Sequence, residues 1–477
     1  MAVTLYWHDY ETFGQNPRWA GIAQFAGLRT DEALNEVGEP LMLYCQPPRD
    51  SWPDPTACLI TGLTPQHCRD HGVPEPVFAR RVIAELGRPG TCGVGFNSIR
   101  FDDEFTRHLL YRNFYDPYER EWKHENTRWD ILDVLRMARS LRPEGMQWPV
   151  DEAGHPVMRL EQLAVANGVT HTSAHDALSD VRATLALARL LRQCQPKLYQ
   201  HAFTLRAKHT VAEWLDCKTA EPVLHVSSRF GAHCLATALV MPLMPHPDKK
   251  NEVIVYDLMQ APDALLSLSA EEIRQRLFTS REMLEQEGVA RIALKTVRLN
   301  KSPMLAPLSL LDDAVQTRTG IDRVRCEQHW RQILPHRETV ARKLAAVFVQ
   351  DSRPVVPDAE FRLYDGFIDK NDQQLCKRVR QADAVELSAK QFVFEDARLQ
   401  ELFFRYCARH FPATLTLEEQ AQWHAFRQWR LNELVSPDWI TREAYISKIA
   451  ALQADCVETK PQQVLAALAA WTTEIDK

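Results

Sequence analysis

The segment His8-Asp9-Tyr10-Glu11-Thr12 places two acids two residues apart at the end of an apolar run, Val3–His8, that reads as a strand. Side chains at i and i+2 of a strand share a face, so Asp9 and Glu11 converge on one point. Carboxylates that close repel, and a hard divalent cation relieves the repulsion; Mg²⁺ characteristically takes a few carboxylates together with phosphate oxygens of a substrate. A solvated strand edge would carry the same pair, so the motif needs company. Asn97-Ser-Ile-Arg-Phe-Asp102-Asp103 follows a second strand-like run, Thr91–Phe96, at the start of a helix. There Asp102 either joins a metal cluster or caps the helix, since both roles suit an aspartate. The third piece is His175-Asp-Ala-Leu-Ser-Asp180, ahead of the apolar run Val181–Leu191. Its acidic first turn can present Asp180 to a metal, and His175, with an ordinary pKa of about 6.5, suits a general base acting on water. A histidine in that place would serve equally as a structural residue.

Gathering such residues requires a sheet and covering helices, and the pattern over 1–195 supplies them. Val3–His8, Ile22–Arg29, Pro40–Cys45 and Thr91–Phe96 read as strands, Glu75–Leu86 as an amphipathic helix, and three further helices lie near 129–142, 159–167 and 175–193. This is an α/β pattern, a mixed sheet covered by helices. Next come strands Pro222–Val226, Ala236–Leu243, Val253–Leu258 and Ile292–Leu299 with a helix at Glu271–Phe278, an α+β or barrel-like region. The proline-bearing stretch Asp351–Pro357 reads as a connection, and beyond it Asp396–His410, Leu417–Leu434, Thr441–Cys456 and Pro461–Ile475 show helical periodicity, with Thr416 and Pro461 as start signals. At about 150 residues per domain, 477 residues fit the resulting division into 1–195, 196–352 and 353–477.

Composition excludes several classes. With 45% hydrophobic and 25% charged residues the chain is neither disordered nor fibrous. It has no run near the roughly 20 apolar residues of a membrane span, and its start lacks the basic and apolar regions of a secretory signal. Eleven scattered cysteines without a C-x-x-C pair point to reduced thiols in a cytoplasm rather than to zinc or disulfides. The formal net charge of −6 means that a nucleic-acid partner would need a local basic groove.

In order, type and spacing, Asp9, Glu11, Asp102 and His175-x4-Asp180 resemble the DEDDh class of 3′-to-5′ exonucleases. The similarity narrows to bacterial exonuclease I through HDYETFG (8–14), LITGLTP (59–65), RFDDE (100–104), YRNFYDPY (111–118), RWDILDV (128–134), LRPEG (141–145), HVSSRFGA (225–232) and LYDGF (363–367). The resemblance implies a ribonuclease H-like exonuclease domain with a mixed sheet, an SH3-like α+β middle domain and an all-α C-terminal domain, forming a C-shaped clamp. It implies processive removal of 5′-mononucleotides from the 3′ end of single-stranded DNA, in DNA repair and recombination. Two Mg²⁺ ions would be held by Asp9, Glu11, Asp102 and Asp180, with His175 as the base. It also implies a second partner, the acidic C-terminal tail of single-stranded DNA-binding protein, and the chain is expected to be a cytoplasmic monomer.

Arg107 to Trp122, directly after Asp102, interleaves cations and aromatics as single-strand grooves do. Phe114, Tyr115 and Trp122 would equally pack a core; the resemblance favours Arg107, Tyr118 and Trp122, with Arg136 and Arg159, as substrate contacts. Lys208, Lys295, Arg298 and Lys301 are candidate phosphate contacts farther along, or simply a solvated charged surface. Asp130 and Asp133, on the helical stretch Trp129–Leu141, read as surface or supporting acids outside the ligand set. Two other readings compete: a DEDDh exonuclease acting on RNA or as a proofreader, and a catalytically silent single-stranded DNA-binding adaptor.

Overall fold

The computed structural model describes residues 3–170, 176–349, 358–389, 391–434, 436 and 439–476. The chain forms two compact units, each assembled from separate stretches: residues 1–127, 171–185 and 355–477 make one, and 128–170 with 186–354 make the other. The connection read at Asp351–Pro357 lies outside the described residues.

Five strands, β1 (Thr4–Thr12), β2 (Ile22–Thr30), β3 (Leu41–Tyr44), β4 (Thr91–Gly95) and β5 (Thr127–Asp130), form a sheet in the order β3-β2-β1-β4-β5. β1 is antiparallel to β2 and parallel to β4, so the sheet is mixed. The aromatic and β-branched content of Thr4–Thr12 suits a strand buried on both faces. Pairing with β4 runs from Thr4↔Thr91 to Trp7↔Val94. Pairing with β2 continues past it, through Asp9↔Ala26 and Glu11↔Gln24, to a bulge at Glu11/Thr12. The strand therefore extends beyond His8, where the apolar run alone would end it, and carries both acids past the last β4 pair. Chain reversal after β4 requires a close approach, since a Cβ on Gly95 would meet Ser98 Cβ at 2.7 Å and the His8 carbonyl at 2.8 Å. The helices Glu75–Leu86 and Asp102–Arg112 supply Phe78, Val82, Leu86, Phe105 and Leu109 to a core shared with Tyr6, Tyr10 and Phe25 of the sheet.

The C-terminal helices of the same unit pack on its N-terminal residues through two apolar clusters. In one, Trp52 stacks on Tyr445 with centroids 4.7 Å apart, donates its indole N–H to Leu431 O at 2.9 Å, and shares a core with Leu465, Leu468 and Trp471. In the other, Tyr111 and Phe114 sit among Leu363, Val379, Phe394, Phe403 and Tyr406. Between them runs a buried charge network: Arg409 pairs with Asp50 (2.6 Å) and Glu360 (2.5 Å), and Arg430 pairs with Glu360 (2.7 Å).

In the second unit β6 (Val223–Val226), β7 (Thr237–Pro245), β8 (Glu252–Asp257), β9 (Leu294–Arg298) and β10 (Met304–Pro307) form an antiparallel sheet in the order β10-β6-β7-β8-β9. Two strands escape the sequence reading, β5 and β10. Each spans only four residues, and neither stands out as a separate apolar run, Thr127–Asp130 leading straight into a helix and Met304–Pro307 into a further turn. The expected helix from 129 begins instead at Ile131, with Asp130 ending β5 and capping the helix through Leu132 N at 3.1 Å. Asp130 and Asp133 are both buried, not surface acids. The C-terminal helices fall where the periodicity puts them, at Ala397–His410, Leu417–Asn432, Arg442–Asp455 and Thr459–Glu474, and Thr416 forms a capping box with Glu419.

Candidate active site

Asp9 and Glu11 leave β1 on one face, and Asp180 joins them from the first turn of the helix Ala177–Cys194. One carboxylate oxygen from each of the three lies within 4.8 Å of the others. Asp102 reaches the same place from the first residue of its helix. Phe101 holds the capping position without a side-chain cap bond, and the Asp102 carboxylate instead accepts the Tyr10 N–H at 3.1 Å, between the two strand acids. Thr106 fixes this corner, its hydroxyl donating to the Asp102 carbonyl at 2.8 Å and lying 3.1 Å from the Tyr10 hydroxyl. The neighbouring Asp103 points elsewhere and forms a buried ion pair with Arg120.

Gln24 brings Asp180 to the strand. It stands opposite Glu11 on β2 and is 1% exposed. Its amide N–H donates to Asp176 Oδ1 at 3.1 Å, and its carbonyl accepts Ala177 N–H at 3.2 Å. Asp176 Oδ2 accepts Ser179 N–H at 3.2 Å, and Asp180 N–H closes on Asp176 O at 3.1 Å, which completes the first turn. Nothing in the sequence marks Gln24, because a lone glutamine in an apolar strand has no spacing partner, and nothing sets Asp176 apart from His175 beside it. His175 itself lies outside the described residues.

The electrostatics follow from the crowding. Burial, then Asp102, Glu11 and Asp180, hold the Asp9 carboxyl well above the usual carboxylate range. Burial, then Asp180 and Asp102, push Glu11 up to about 8. Four such groups ionise together only beside compensating positive charge. The donors are all carboxylate oxygens, the set that hard cations such as Mg²⁺ prefer, so the residues fit a divalent metal.

The remaining candidates are dispersed. Arg107 is buried, with its fork held bidentately by Glu121 (2.6 and 2.8 Å) and also donating to Glu104 (2.9 Å) and the Tyr364 hydroxyl (3.3 Å). Tyr118 packs against Tyr364 and Phe367, with centroids 6.4 and 6.0 Å apart. Phe367 is 90% and Trp122 65% exposed, whereas Phe114 belongs to the core and Tyr115 is partly buried against it. In the second unit Arg136 pairs with Asp133 at 2.6 Å, and Arg159 and Lys208 are exposed. Lys295 lies 2.7 Å from His225 Nε2, Arg298 pairs with Glu252 at 3.1 Å, and Lys301 follows β9 in a turn.

Comparison with known proteins matches residues 6–188 to the family described as Exonuclease, 206–350 to the Exonuclease I SH3-like domain and 357–475 to the Exonuclease I C-terminal domain. Exodeoxyribonuclease I of Haemophilus influenzae is 43% identical over 427 residues, 89% of this chain and 90% of its own. The exonuclease I structure from Methylocaldum szegediense superposes with a TM-score of 0.94 at 48% identity, covering all of both chains. A zinc-bound complex of the E. coli enzyme with single-stranded DNA superposes at 0.92 with 38% identity, again over both whole chains. A complex of SSB and exonuclease I with an inhibitor gives 0.90 at 38% identity and the same coverage. Sequence motifs, three successive domain matches and full-length superposition agree, and the chain belongs to the exonuclease I family.

Proposed function

We propose that this chain is a divalent-metal-dependent exodeoxyribonuclease that removes 5′-mononucleotides processively from the 3′ end of single-stranded DNA, in DNA repair and recombination. The observation that carries the reading is the convergence of Asp9, Glu11 and Asp180, with Asp102 tied to the backbone between the two strand acids. These four carboxylates would hold two Mg²⁺ ions. When bound, the ions offset the charge of the scissile phosphate and favour ionisation of the attacking water. His175, next to Asp176 in the chain, takes that water's proton, which its ordinary pKa near neutrality permits. Gln24 fixes the turn bearing Asp180, and Tyr10 N–H fixes Asp102, so the ligands need not reorganise as substrate arrives.

A single strand is held by stacked aromatics and cations. The grouping of Tyr118, Tyr364 and the 90%-exposed Phe367 supports that mode of binding, since a phenylalanine left in water gains by covering its face with a base. Trp122 offers a further face, and Arg159 and Lys208 are exposed cations available to phosphates. Arg107 acts indirectly, by ordering Tyr118 and Tyr364. SSB is a partner, in keeping with the solved assembly of SSB with a relative; its acidic C-terminal tail is the docking segment, and the enzyme works in the cytoplasm as a monomer. Digestion of DNA and RNA oligonucleotides of identical base order, with Mg²⁺ or EDTA, by wild type and Asp180→Ala tests the reading. DNA loss from the 3′ end only for wild type with metal is expected. Equal RNA digestion, or hydrolysis by Asp180→Ala, overturns it.

A further inference from the structure

Away from the acidic cluster, the first unit contains a cavity of about 280 Å³, whose lining includes none of Asp9, Glu11, Asp102 and Asp180. It opens between the loops around Arg18 and Arg49 and the C-terminal helices Ala397–His410 and Leu417–Asn432. Seven arginines line it against three carboxylates. Those carboxylates are already committed: Asp50 and Glu360 to Arg409 and Arg430, and Glu75 to Arg112 at 2.9 Å.

Three of the arginines are left over. Arg18 and Arg49 are exposed at the rim and Arg427 is half-buried, and none has a carboxylate partner among the described residues. Arg427 donates only to backbone carbonyls, those of Arg49 at 3.0 Å and Ile475 at 2.7 Å. Burial, with the nearby Arg49, disfavours its charged form, and Asp50 and Asp476 offset this only in part. Positive charge retained in a concavity with low-dielectric walls focuses its field outward and draws in anions. Planar guanidinium forks match the oxygens of a phosphate bidentately. The lining also carries apolar faces, Pro47 and Pro48 from the loop and the partly exposed Trp423 from the helix Leu417–Asn432.

We propose that this cavity is a second anion site, one that takes a phosphate monoester dianion between Arg18, Arg49 and Arg427, with Trp423 and the two prolines facing whatever the phosphate carries. Inorganic phosphate and a nucleoside 5′-monophosphate share that chemistry, and the apolar faces favour the nucleotide. The proposal does not depend on the nuclease reading, because binding here requires neither divalent metal nor any residue of the acidic cluster.

Isothermal titration of the full chain in EDTA tests it with deoxyadenosine 5′-monophosphate, inorganic phosphate and deoxyadenosine. The nucleotide should bind more tightly than phosphate, and the nucleoside should give no heat. Arg49→Gln and Arg427→Gln should each weaken the nucleotide about tenfold, the worth of one charge-assisted contact. Arg18→Gln, at an exposed rim position, guards against misfolding of the half-buried variant. Arg18→Gln and Arg49→Gln should melt at the wild-type temperature without ligand, and all three variants should digest single-stranded DNA at the wild-type rate. Equal affinities across wild type and variants, no heat from either phosphate compound, or binding that appears only with Mg²⁺ and vanishes in Asp180→Ala would each overturn the proposal.

Discussion

Replacing Gln24 by methionine keeps the volume and shape of a side chain that is 1% exposed while deleting a long contact to the Tyr44 hydroxyl (3.4 Å) and two closer polar contacts. One of these, amide N–H to Asp176, is charge-assisted; the other, Ala177 N–H to the Gln24 carbonyl, is neutral. Together they are worth about 2–4 kcal/mol, because hydrogen bonds to charged groups contribute more than neutral ones and both sit out of water. Part of the loss falls on global stability. The rest falls on the turn that points Asp180 at Glu11, and supporting residues around metal ligands typically alter affinity or activity by about 10–100-fold. The assay is hydrolysis of a 5′-labelled single strand over a Mg²⁺ titration, with Mn²⁺ calorimetry as the direct readout. We expect the half-saturating metal concentration to rise by about one to two decades. Gln24→Glu should be worse at neutral pH, since a carboxylate cannot donate to Asp176 and adds a like charge beside it. A Gln24→Met enzyme with lowered melting temperature and unchanged metal dependence would refute the reasoning, reducing Gln24 to a packing residue.

Asp180→Ala should lower turnover by at least about three decades while single-strand binding in EDTA stays within about twofold by fluorescence anisotropy, because the ligand acts on chemistry rather than on the groove. Phe367→Ala should weaken binding of a labelled oligonucleotide by about 1–3 kcal/mol with no change in melting temperature, since the ring is 90% exposed. In EDTA, stability should fall as pH rises from about 4.5 to about 8. Glu11 is raised from 4.5 to about 8 in the fold, so between those values the native state binds more protons than the unfolded chain and the slope is negative. Saturating Mg²⁺ should flatten that slope in thermal melts, as a ligand of the native state alone. Glu360→Gln should cost about 3–5 kcal/mol in urea unfolding, because it leaves Asp50 alone to offset both Arg409 and Arg430 in a buried network whose charges hold Glu360 well below the usual carboxylate range.

What could be read from the sequence depended on distance along the chain. Asp9 and Glu11 are two residues apart, and a strand's alternation alone puts them on one face; periodicity likewise located the long C-terminal helices, with Thr416 marking its own start. Thr127–Asp130 runs directly into a helix and so reads as part of it, and Asp130 reads as a surface or supporting acid, whereas it is buried, ends a strand and caps that helix. Arg107 shows a different dependence on the fold. Its neighbours Tyr118 and Trp122 suggest a phosphate contact, yet Glu121 in that stretch and Glu104 three residues ahead of it take its fork. Residue type announces a cation, but only the fold tells which carboxylate claims it first. Gln24 was illegible for a related reason, since its partners lie about 150 residues away and a neutral amide carries no chemistry until they arrive.

The acidic cluster also constrains how the unit holds together without metal. Burial and mutual repulsion oppose ionisation of Asp9 and Glu11, yet the fold fixes Asp102 with a backbone N–H and the Asp180 turn with Gln24 rather than letting the acids swing apart. Ligands held at such spacing bind a cation with little reorganisation, so the repulsion built up during folding reappears as metal affinity. The cost must be met elsewhere in the same unit, and the apolar contacts of Trp52 with Tyr445 and Leu431, together with the Asp50–Arg409–Glu360 network, join residues more than 300 positions apart to do so. Truncation before residue 358 removes every one of those partners. A fragment of residues 1–195 should therefore be less stable than the full chain, and the same Mg²⁺ binding free energy should raise its melting temperature further, because it acts against a smaller unfolding entropy. Equal metal-induced shifts in melting temperature for fragment and full chain would show that the C-terminal helices contribute nothing toward carrying the strain of the acids.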